Sequence, residues 1–257
     1  FLPWFGFHCL FALMPGKKLN LLKCLIPCLM VLLVTSLIWA AEPVEVTVSG
    51  LEGEELKNVQ TALAVPPGLV KKDRIDEAWL DHFLDQIPRK VQEALEPFGY
   101  YHGTATVSQE TAPEGHVKVQ VMVTRGGAVL VRGVVVRIEG MEKNEEEFRS
   151  LVANFPLASG MVLRHEVYEE AKRGIHDAAI RRGCLDGRFL VQEVRVNLGE
   201  RTADIEVVYD TGPRYFFGAI NFSGAPLYPR PFLNRYLAFQ EGEVFSYEKI
   251  GETQRNL

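Results

Sequence analysis

Beyond residue 40 this sequence holds a single cysteine, Cys184, because the other three, Cys9, Cys24 and Cys28, lie in the apolar N-terminal stretch. One thiol excludes an internal disulfide in that part of the chain. A catalytic thiol needs a partnered base, and no neighbouring motif supplies one, so Cys184 reads as a small apolar packing residue. Acidic residues are missing from residues 1–40, which carry Lys17, Lys18 and Lys23. Of 28 basic residues, 28 minus 3 leaves 25 to set against all 33 acids, a formal balance of −8 for the remainder. That part lacks the basic footprint of a nucleic-acid binder, so no nucleic-acid partner is expected. Also absent are a GxSxG elbow, an HExxH helix, a phosphate-binding loop and a CxxC pair. HEVYEE at His165 has no zinc-ligand spacing and reads as a helix face. These absences point away from an enzyme, and no cofactor or metal is implied.

What is present begins with export. From Met14, MPGKKLNLLK forms a positive leader and CLIPCLMVLLVTSLIWA an apolar run, closed by the small residues Ala40 and Ala41. This has the layout of a cleaved signal peptide over residues 14–40. An uncleaved anchor is the rival reading, since the run is at the lower edge of spanning length. Residues 1–13 precede the start methionine and read as an untranslated or artefactual extension.

The decisive feature is a repeat. Strand-like segments ending in glycine recur as VEVTVSG to Gly50, VVVRIEG to Gly140 and GAINFSG to Gly224. A short helical pattern follows each, clearest in Phe148, Leu151, Val152 and Phe155, with Asn144 and Glu147 spaced as a capping box. A loop follows (VPPG, FPLASG or FQEGE), then a second helix. Val91, Ala94, Leu95 and Phe98 mark its buried face in the first unit, and Tyr168, Ala171, Ile175, Ala178 and Ala179 in the second. Pro88 should kink the first of these or mark its start. That helix ends at a glycine, Gly99 or Gly183, and the chain turns directly into a strand. Alternation at Val117, Val119, Val121 and Val123, and at Ala203, Ile205, Val207 and Tyr209, completes each unit with a strand buried on one face. Each unit therefore reads β-α-α-β-β, over residues 42–126 and 127–212. Residues 213–257 begin a third with a helix near Pro231 and another capped by Ser246, and stop before its last two strands. The acidic run Glu142 to Glu147 reads as a solvated helix start aided by the helix dipole.

On EALEPFGYY, YEEAKRGIHDAAIRRG, DTGPRYFFGAINFSG and FQEGEVFSYEKI, the chain resembles the POTRA domains of outer-membrane assembly factors, in particular those of the translocation and assembly module. Cys184 and Leu185 depart from the aromatic more usual at that place. The resemblance implies an α+β fold of tandem POTRA domains, each with two helices on a three-stranded mixed sheet. It also implies a periplasmic position and no catalysis. As partners it implies a TamB-like inner-membrane protein, unfolded outer-membrane or autotransporter clients, and the outer membrane through a β-barrel beyond this sequence. Another barrel-assembly or two-partner secretion protein is the alternative within the family, and a periplasmic enzyme the alternative outside it.

HGTATV is polar, small and β-branched, which suits an exposed sheet edge, and the family puts this strand at an edge. The candidate partner-binding residues are Thr104, Ala105, Thr106, Val107 and Ser108, with Arg188, Phe189, Leu190, Val191, Gln192, Glu193 and Val194 in the second unit. Their competing reading is solvent-facing structural strand. Tyr100 and Tyr101 read as packing residues, one under the helices and one over the turn.

Overall fold

The structure is a computed structural model that describes residues 43–71, 74–112, 116–224 and 227–257. The signal-peptide reading therefore falls outside the described residues. No helix among the described residues is long and apolar enough to cross a membrane.

The first unit runs β1 (Val44–Ser49), α1 (Gly53–Ala62), a short antiparallel pair β2 (Val70–Lys71) and β3 (Arg74–Ile75), α2 (Glu77–Leu95), β4 (Thr104–Thr111) and β5 (Val117–Thr124). Its sheet order is β1-β5-β4, with β1 parallel and β4 antiparallel to the central β5. Val117, Val119, Val121 and Val123 all point into the core, and the intervening residues are exposed, as a half-buried strand requires. α1 and α2 cover that face with Val59, Leu63, Phe83, Ile87, Val91 and Leu95. Pro88 neither starts nor ends α2. The helix begins eleven residues earlier, just after Asp76, whose carboxylate accepts the Trp79 amide at 3.3 Å, and tertiary burial of Ile87 and Val91 on either side holds the turn that proline weakens. The β2–β3 pair has no counterpart in the sequence reading, because two-residue strands leave no periodicity to detect.

The second unit repeats this plan with β6 (Leu130–Glu139), α3 (Glu146–Ala153), α4 (His165–Arg181), β7 (Arg188–Asn197) and β8 (Thr202–Asp210), in sheet order β6-β8-β7. Tyr168, Ile175, Ala178 and Ala179 line the buried side of α4 over Ala203, Ile205, Val207 and Tyr209. Cys184 is fully buried in this core, and burial raises its thiol pKa. The capping box does not form: Glu145 is the N-cap, and it makes no side-chain cap bond. The acidic run is not simply solvated either. Glu147 bonds Arg181 at 2.7 Å and Arg182 at 3.0 Å, Glu145 bonds Arg182 at 2.7 Å, and Glu142 pairs with Arg214. These arginines come from the end of α4 and the segment after β8, a meeting that only the tertiary fold creates.

In the third unit α5 (Arg230–Leu233) is short and runs on into a 3-10 turn at Asn234–Tyr236, and α6 (Tyr247–Asn256) starts where Ser246 accepts the Lys249 amide at 3.4 Å. Residues 218–224 do not form a strand, contrary to the reading of GAINFSG. A strand exists by pairing, and among the described residues nothing pairs with this segment; only Phe216 bridges to Val244.

Candidate functional site

The two predicted binding strands, β4 and β7, are each an edge of their own sheet, so they form two separate surfaces. β4 keeps one unbroken register from Thr104 against Thr124 to Thr111 against Val117. Ala105 and Val107 turn inward onto the first core, while Thr104, Thr106 and Ser108 are exposed. No bulge interrupts its pairing with β5. No charge or proline lies within Thr104, Ala105, Thr106, Val107 and Ser108, so the usual guards of an edge strand are missing there.

β7 is guarded. A register shift between Phe189 and Val191 makes Leu190 a bulge, which interrupts regular pairing and leaves that side chain 48% exposed. Phe189 turns in against Tyr209, ring centroids 4.8 Å apart. The run from Gln192 through Glu193 and Val194 to Asn197 is regular again. Its outer face is charged: Arg195 reaches Glu193 at 2.7 Å and Glu206 at 3.1 Å, and Arg137 reaches Glu206 at 3.0 Å. Arg188 is exposed. Of the two edges, β4 is the more open to an added strand.

What orients these edges is a joint built twice, which sequence reasoning missed. At the first joint Gly99 (φ 87°) closes the 3-10 turn after α2, and its carbonyl accepts the Val129 amide at 2.8 Å. The Val129 carbonyl accepts the Leu163 amide at 2.9 Å, the Val131 amide donates to Met161 O at 2.8 Å, and Gly160 donates to Val131 O at 2.8 Å. The second joint repeats every bond. Tyr215 donates to Gly183 O (2.8 Å), Phe245 to Tyr215 O (3.0 Å), Phe217 to Glu243 O (2.8 Å) and Gly242 to Phe217 O (2.8 Å). A side-chain carbon on Gly99 would lie 2.5 Å from the Leu163 carbonyl oxygen, and one on Gly183 3.0 Å from the Tyr215 oxygen. The glycines are thus needed for their left-handed backbone and also for the close approach of the next unit. The sequence signal available was the pairing of Gly99 with Gly183, but its partner residues lie 30 and more positions away.

Side chains reinforce the first joint. Tyr101, on the strand side of Gly99, leaves its own unit to pack against the second core, and its hydroxyl meets His165 Nε2 at 2.7 Å. Burial lowers the His165 pKa and raises that of Tyr101. Arg164 lies 5.2 Å over the Phe98 ring and pairs with Glu54 at 3.0 Å. Tyr100 stays on the first core under Arg125, 5.6 Å from the ring centre. His165 is therefore a joint residue. Among the described residues no group of histidine, cysteine, aspartate and glutamate could hold a metal ion.

Residues 45–125 match the family model described as POTRA domain TamA domain 1. The first unit is thus similar to a POTRA domain. Its two helices on a three-stranded mixed sheet are the POTRA plan, and the second unit repeats that plan strand for strand. Solved structures similar to the chain include three POTRA-containing or related proteins. The crystal structure of Haemophilus influenzae BamA POTRA3-5 is 17% identical, covers 83% of each chain and has a TM-score of 0.43. POTRA1-3 of the periplasmic domain of Omp85 from Anabaena is 15% identical over 83% of this chain and 81% of that one, with a TM-score of 0.31. CdiB from Escherichia coli is 15% identical over 64% of this chain and 26% of that one, with a TM-score of 0.26.

Proposed function

We infer that this chain is the periplasmic POTRA region of an outer-membrane assembly factor, of the TamA kind, which receives extended client polypeptides and guides them toward a β-barrel. The observation that carries this reading is the β4 edge: eight residues in unbroken register, on the outside of a sheet whose other face is a closed core. Backbone pairing binds a strand through its main chain and specifies its side chains only loosely, which suits clients of varied sequence. In this reading residues 213–257 belong to a third POTRA unit, which is supported by a joint to the second unit that repeats the first bond for bond. The further partners in this reading are a TamB-like inner-membrane protein and unfolded outer-membrane or autotransporter clients.

The test is a strand-breaking pair, Thr104→Pro with Thr106→Pro, which removes two donors from β4. Photo-cross-linking from β4 to an unfolded outer-membrane client and to the inner-membrane partner should fall at least severalfold, with circular dichroism unchanged. Undiminished cross-linking in the folded variant rejects the β4 edge as the receiving surface.

A further inference from the structure

We propose that Tyr101 and His165 form a proton-sensitive latch on the first joint: the neutral imidazole holds the first two units together, and its protonation frees them to pivot about Gly126 and Gly127. The latch concerns the joint alone and does not depend on what either sheet edge binds. Tyr101 comes from the first unit, packs against the core of the second, and meets Nε2 of His165, the first residue of α4, at 2.7 Å. The two ring centres lie 6.1 Å apart. A neutral imidazole accepts the tyrosine O–H at Nε2, whereas an imidazolium carries a proton on each nitrogen and has no acceptor to offer. Protonation therefore strands a half-buried hydroxyl and places a charge on a half-buried ring, and both effects oppose the closed joint. Burial lowers the His165 pKa, and the two acids that face the ring, Glu96 from the first unit and Glu169 one turn along α4, only partly offset it. The remaining charges beside it are engaged elsewhere: Arg164 pairs with Glu54 at 3.0 Å and with Glu166 at 3.7 Å.

The second joint shows what the latch adds. Its matching bonds place Leu185 where Tyr101 stands and Tyr247 where His165 stands, so no imidazole occupies that contact. The chain there passes through Gly212 and Pro213 to Arg214, which pairs with Glu142 and lies 3.6 Å from Glu145. A fixed proline ring and ion pairs stiffen that passage. The first joint instead runs through two adjacent glycines, Gly126 with φ 73°, and glycine gives the backbone its widest freedom. His176 also meets a tyrosine, Tyr209 at 2.9 Å, but both belong to the second unit and couple nothing across a joint. Mobility and a titratable brace thus coincide at the first joint.

The test is amide hydrogen exchange of the full chain at about pH 7.5 and about pH 5.5, corrected for intrinsic exchange rates. Opening returns His165 to its ordinary value of about 6.5, above that of the closed joint, so the closed state is favoured above that pH and loses ground as pH falls. Over this interval proton uptake promotes opening by about twofold or more and by at most about tenfold. Protection of the Val129 and Leu163 amides at the first joint should fall by that factor, while Tyr215 and Phe245, their counterparts at the second, should hold. In His165→Gln the side-chain oxygen still accepts the tyrosine hydroxyl but takes no charge, and the fall should vanish. Nuclear magnetic resonance of the His165 ring in the unaltered chain is the check that needs no variant: its titration midpoint should lie below 6.5. Equal protection of Val129 and Leu163 at both pH values overturns the latch. An equal fall at both joints, an undiminished fall in folded His165→Gln, or a ring midpoint at or above 6.5 overturns it as well.

Discussion

Replacing Gly99 by alanine separates two costs that the structure assigns to one residue. The left-handed backbone there (φ 87°) costs a non-glycine residue about 1–2 kcal/mol. The added carbon would also lie 2.5 Å from the Leu163 carbonyl oxygen and 2.9 Å from Val162 Cγ1, so the second unit's loop must retreat. Overpacking of that kind adds about 1–3 kcal/mol, for a total of about 2–5 kcal/mol. Gly68→Ala is the matched control, because Gly68 is also left-handed (φ 107°) but a side chain there meets nothing within 4 Å. It should show only the first cost. Urea unfolding followed by far-ultraviolet circular dichroism gives both values, and hydrogen exchange adds a readout at the joint itself. In Gly99→Ala the Val129 and Leu163 amides, which donate to Gly99 O and Val129 O, should lose protection; in Gly68→Ala they should keep it. Equal destabilisation by the two substitutions, with both amides still protected in Gly99→Ala, would refute the claim that this glycine serves the contact between units.

Tyr101→Phe removes the hydroxyl that meets His165 and should cost about 1 kcal/mol near neutral pH by thermal or urea unfolding. Because burial holds the folded His165 pKa below its ordinary 6.5, the neutral ring contributes stability above pH 6.5 that is lost as pH falls through the lower folded value; His165→Gln should flatten that part of the stability profile. The Glu147 carboxyl is held below its ordinary 4.5, first by the Arg181 hydrogen bond, so Glu147→Gln should destabilise at pH 7 and the deficit should shrink as pH falls below 4.5. Cys184, fully buried with a raised pKa, should react with a thiol reagent only in denaturant; prompt reaction in buffer would contradict its place in the core.

Local periodicity made the sheets and helices readable. Alternating valines in β5 and the three- and four-residue spacing in α2 and α4 each report one buried face, and the structure buries those faces. The edge position of β4 was legible in its small polar residues. What local pattern could not convey was how charges and loops meet across the fold. Glu147 looked solvated because Arg181 and Arg182 lie more than 30 residues away, and Asn144 looked like a cap although the helix starts one residue later. The bulge at Leu190 arises from the register with β8, which no single strand encodes.

The central claim is that the open sheet edge of the first unit accepts a client's backbone, and amide exchange in β4 measures it most directly. With saturating unfolded client, alternate amides of Thr104–Thr111 should gain at least about tenfold protection, the alternation reflecting the outward-facing half of an edge strand. Client binding with β4 exchange unchanged would contradict the account.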